Sequence, residues 1–133
     1  MTTRAQGQRD VAVSSLPFRG IAINDDTLNT AAITVYASDS GILFINKNTA
    51  TTTYTLPVVA DCEGKIFFFY SYVANDLVIT GGTTDVMVGG DTSAVVDADK
   101  VTLGGVIGGW AIVTGDGTNY YALTGTGTWT ASG

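Results

Sequence analysis

Apolar residues run along this chain in short stretches, each broken by Gly, Asn or Asp: "NDD" at 24, "DSG" at 39, "NKN" at 46, "DCEG" at 61, "GG" at 81, 89, 104 and 108, and "GDG" at 115. The stretches between the breaks are rich in Val, Ile, Thr, Tyr and Phe, residues that suit a pleated, half-buried surface. They predict strands at Ala32–Tyr36, Ile42–Asn46, Thr51–Leu56, Lys65–Val73, Leu77–Thr80, Asp85–Val88, Val101–Leu103, Trp110–Thr114, Tyr120–Leu123 and Thr128–Ala131. "TGDGTNYY" reads as the hairpin loop joining the Trp110 and Tyr120 strands. No Ala/Leu/Glu/Lys-rich window of helix length interrupts the pattern. The expected fold is all-β: a compact antiparallel sandwich or barrel of short strands, residues 31–133, preceded by an extended N-terminal arm, residues 1–30.

One stretch breaks the usual alternation. In "GKIFFFYSYV", residues 64–73, a strand would send Ile66, Phe68, Tyr70 and Tyr72 to one face and Phe67, Phe69 and Val73 to the other. Both faces are apolar, whereas an antiparallel strand with one wet face alternates apolar with polar. "WAIV", residues 110–113, has the same character. Such strands need covering twice, once by their own core and once by something else. A period of two does not say which face meets which. Phe67, Phe69 and Val73 are taken as a subunit interface, and a homotrimer is expected.

The 133 residues suit one domain that buries a core without staples. Charged residues are only 14%, against about 25% in an ordinary soluble domain, which also fits a surface that meets protein. The net charge of −6 excludes a phosphate-binding surface of the usual kind. No run of apolar residues is long enough to span a membrane, and the N-terminal stretch has no apolar core of a signal peptide. The charge is uneven. Arg4, Arg9 and Arg19, the three arginines, fall in the first 19 residues with Asp10 their one acid; three lysines and eleven acids follow. A basic arm thus precedes an acidic body.

Candidate chemistry is sparse. The chain has no histidine, which removes triads of the Ser-His-Asp or Cys-His kind. Cys62, the single cysteine, is flanked by Asp61 and Glu63, neighbours that disfavour a thiolate, and reads as an inert thiol. The acid pairs Asp25–Asp26, Asp61–Glu63 and Asp97–Asp99 sit among turn residues, where Asp bonds its own backbone. Asp91, Asp97 and Asp99 do not match the spacing of a calcium loop. "GGVIGGW" and "GTGTWT" lack the residues that make glycine loops bind phosphate. Trp129 is the best candidate for stacking on sugar, against the plainer role of Trp110 and Trp129 as core or interface anchors. No enzymatic activity, metal or cofactor is expected.

Taken in order, "DSGILFIN" at 39, "TYTLP" at 53, "GKIFFFYSY" at 64, "LVITGG" at 77, "GGWAIVTGDGTNYYAL" at 108 and the closing "GTWTASG" resemble a β-rich module of tailed-phage virion proteins, notably capsid decoration (cement) proteins and head- or tail-fibre domains. The resemblance covers residues 38–133 and implies a trimeric structural protein on the outside of a phage head, made in the host cytoplasm, with the major capsid protein as its partner. The alternative within the same resemblance is a tail-fibre or receptor-binding, glycan-binding domain. Residues 1–30 lie outside it. Their Arg4, Arg9, Val11, Val13, Leu16, Phe18 and Arg19 are read as a capsid-binding arm: Pro17 favours extension of Leu16, and alternating Val11 and Val13 suit strand addition to a neighbour's sheet edge.

Overall fold

A computed structural model describes residues 18–27, 31–82, 86–88 and 100–132. The strands are β1 (Gly20–Asp25), β2 (Ala32–Thr34), β3 (Ile42–Lys47), β4 (Thr52–Thr55), β5 (Ile66–Ser71), β6 (Leu77–Thr80), β7 (Val86–Val88), β8 (Lys100–Leu103), β9 (Trp110–Gly115), β10 (Tyr120–Gly125) and β11 (Trp129–Ser132). They form two open sheets, a six-stranded one in the order β1-β3-β5-β9-β10-β7 and a five-stranded one in the order β11-β8-β6-β4-β2. The all-β sandwich expected from the strand pattern is the fold, and the open sheets decide against a barrel. Every expected strand is present, with ends shifted by a residue or two.

Two expectations are corrected. First, the pairing is mixed, where antiparallel pairing was expected. The chain alternates between sheets from β1 to β6, so β1, β3 and β5 stack in parallel in one sheet and β2, β4 and β6 in the other. Parallel neighbours need a long crossover, and here a strand of the opposite sheet supplies it. The result is three coils of a flattened β-solenoid. From β8 onward the pairing turns antiparallel: β8 runs against β6 and β11, and β9 against β5 and β10. Second, the boundary at residue 30 is misplaced. Gly20–Asp25 is β1, paired along its whole length with β3, so the β domain includes it.

Side chains explain how the coils stack. In the six-stranded sheet Phe44 lies beside Phe69, and Tyr54 of the other sheet closes on both, with ring centroids 5.2–5.6 Å apart. Around them Phe67, Leu77, Ile79, Val101, Leu103, Val113 and Tyr120 are fully buried. At one end of this core the register brings Asn24, Asn46 and Ser71 into line on successive coils. Asn24 Nδ2 donates to Asn46 Oδ1 at 3.0 Å, a buried polar rung between coils. At the opposite end the "DSG" motif makes the corner: the Asp39 carboxylate accepts from the Tyr36 N–H, Ser40 Oγ accepts from the Ile66 N–H at 3.0 Å, and Gly41 donates to the Ile66 carbonyl. Gly41 holds a φ of +89°, in the left-handed region that favours glycine.

Candidate interaction face

The outer side of the six-stranded sheet is the unusual surface of this molecule. Strand register lines up Ile21, Leu43, Phe68, Ile112 and Leu123 as one row across five strands. The next row is Ile23, Ile45, Tyr70, Trp110 and Gly125. Ile21 is 61% exposed, Ile23 52% and Leu123 55%, values far from those of a covered face. Along the outward positions of β1, β3, β5, β9 and β10, charge appears only at Asp25 and Lys47, paired in register at one end. Lys47 lies over the Tyr72 ring, 5.1 Å from its centroid.

A groove of about 430 Å³ runs through the middle of this face, between Phe18, Leu43, Phe68, Tyr70, Trp110 and Ile112. Its walls have local causes. Trp110 lies flat across Gly125, where any Cβ would come within 2.3 Å of the indole. Phe18 stands edge-on to Phe68, centroids 4.8 Å apart. It is held there by Arg19, whose N–H donates to the Gly41 carbonyl at 2.6 Å and whose guanidinium donates to the carbonyls of Ser38 and Ser40.

At the far end of the face the β9–β10 hairpin closes on Asp116. Its carboxylate accepts from the N–H groups of Asn119 and Thr118 and from the Tyr121 hydroxyl. These bonds, that of Asn119 foremost, then those of Tyr121 and Thr118, favour the ionised carboxylate and lower its pKa from 3.8 to about 2. The same contact raises the Tyr121 phenol.

The structure redistributes the residues singled out from the sequence. Phe67 and Phe69 are 0% and 1% exposed in the core between the sheets, so the interface expected there is corrected. They point inward because their neighbours in register, Phe44 and Val113, do. Val73 is half-buried beyond the end of β5. The opposite face of β5, with Phe68 and Tyr70, is the one that looks outward. Trp129, 8% exposed, is a core residue and offers no shelf for sugar. Of the arm residues, Phe18 and Arg19 pack on this chain's own sheet, while Arg4, Arg9, Val11, Val13 and Leu16 lie outside the described residues. So do Asp91, Asp97 and Asp99.

Asp25 and Asp26 serve as turn and bridge residues: Asp25 accepts from Thr27, and Asp26 accepts from the N–H and hydroxyl of Thr49. Cys62 is fully buried. Tyr54 and Tyr120 are buried phenols whose pKa burial raises, and the Tyr120 hydroxyl donates to the Pro57 carbonyl. Among the described residues no three His, Cys, Asp or Glu side chains converge, and no helix is long and apolar enough to cross a membrane. Sequence reasoning missed Ile21 and Ile23; the alternation in "GIAIND" was their signal. Compared with family models and with curated proteins, the chain matches neither.

Proposed function

We propose that this chain is a structural protein of a virus particle, a capsid decoration protein that binds the outside of a phage head and strengthens it by burying surface. The observation that carries this reading is the outer face of the six-stranded sheet, whose two apolar rows are nearly free of charge and, among the described residues, exposed at Ile21, Ile23, Trp110 and Leu123, while Phe18 covers Phe68. A soluble monomer seldom exposes an apolar patch beyond a few hundred Å², and a face of this kind fits a protein whose task is to assemble. The resemblance of the motif order to phage decoration and fibre proteins suggests the setting. In this reading copies assemble as a homotrimer, and contacts to the major capsid protein fall to Arg4, Arg9, Val11, Val13 and Leu16, upstream of the Phe18–Arg19 root. Three arms on one particle multiply a weak individual contact.

Immunoelectron microscopy of virions with antibody raised against the purified chain tests this. Label spread over the head is the expected result. Label confined to the tail would replace the decoration role with that of a fibre domain, and unlabelled virions would overturn both.

A further inference from the structure

We propose that copies of this chain associate through the outer face of the six-stranded sheet, which in each copy packs against a second copy. This specifies the contact inside the assembly proposed above, and it takes only its biological setting from that reading. It also moves the contact from Phe67 and Phe69 to the other side of the same strand.

Three observations point to a second copy. The first is extent. Five strands at about 4.8 Å spacing make a face roughly 20 Å wide. Its exposed surface, that of Ile21, Ile23, Trp110 and Leu123 foremost, amounts to on the order of several hundred Å², toward the roughly 800 Å² that one partner contributes to a stable interface. The second is charge. The chain carries −6, so two copies repel over most of their surfaces. The outer positions of β1, β3, β5, β9 and β10 are the exception, with one acid and one base, Asp25 and Lys47, in register at their edge. The third is rigidity. The rows lie on hydrogen-bonded strands, from the edge strand β1 through β3, β5 and β9 to β10, and Trp110 packs against Gly125. Little side-chain freedom is lost when such a face is covered.

Light scattering on the full chain, with Ile21→Glu and Leu123→Glu introduced together, tests this. Both residues are more than half exposed, so the substitutions leave the core untouched. Circular dichroism and a melting curve check that the fold is kept. Val58→Glu, at a site 68% exposed away from this sheet, is the control. Wild type and control are expected to run as a multiple of 13.8 kDa at tens of micromolar, and the double variant as one folded chain. A double variant that keeps the wild-type mass would overturn the proposal. So would a wild-type monomer. If that monomer binds a hydrophobic dye only after residues 2–17 are removed, the occupant of the face is the chain's own N-terminal segment. These results are independent of the virion label. A monomer that still coats heads defeats this inference and the homotrimer of the reading above but leaves the decoration role standing, and a multimer absent from virions defeats the decoration role alone.

Discussion

Trp110 and Gly125 show how one glycine shapes a surface. The indole occupies the space where a side chain at 125 would stand, since a Cβ there meets it at 2.3 Å. Gly125→Val should therefore push Trp110 off the sheet. An overpacked site costs about 1–3 kcal/mol, to be read as a lower denaturation midpoint, with red-shifted tryptophan emission reporting the displaced ring. Asp116 sets a pH response. Its pKa in the fold, about 2, lies below the ordinary 3.8, so its contribution to the hairpin is present above pH 3.8 and is lost as pH falls through 2. A carboxyl titration by NMR should place its midpoint near 2, and Asp116→Asn should abolish the acid-side shift of the Thr118 and Asn119 amides. A midpoint near 4 would contradict the hydrogen-bonding seen at the loop.

Among the elements, the stacked coils of β1 to β6 depend on inward residues at matched positions. Asn46 is fully buried and accepts from Asn24 and from the Asn48 N–H. Asn46→Ala removes this buried acceptor and its bonds to Asn24 and Asn48 and should cost about 1–3 kcal/mol. Phe67→Asp, which on an interface would release subunits, instead puts a charge in the core and should abolish folding. The root of the arm gives a further prediction. Removing residues 2–17 should leave the melting temperature near that of the parent, whereas removing 2–19 takes away Phe18 and the Arg19 bonds to Ser38, Ser40 and Gly41 and should lower it.

At this scale the sequence is partly transparent. The β-prone runs between Gly, Asn and Asp breaks are legible because turn chemistry is local. "GIAIND" escapes notice because it follows directly on the basic segment read as an arm, although its six residues alternate as those of an edge strand do. Parallel pairing is not legible, since it depends on which sheet each strand joins. The unbroken "ILFI" and "IFFFY" instead place apolar residues on both the core side and the outer side of the six-stranded sheet. The two faces of β5 are equally apolar, so only the register with Phe44 and Val113 decides that Phe67 and Phe69 look inward.

For the whole molecule, the sandwich completes one core and leaves a second apolar surface on the back of its larger sheet. The core is closed by the chain itself, and in the association we propose the second surface is closed by another copy. Hydroxyl-radical footprinting of the wild-type protein at concentrations where it assembles measures this directly. Ile21, Ile23, Trp110 and Leu123, between 39% and 61% exposed in the single chain, are predicted to be protected, while Val58 and Tyr36, 68% and 62% exposed, react freely. Oxidation of Ile21, Trp110 and Leu123 at rates matching Val58, each scaled to its intrinsic reactivity, would contradict the account.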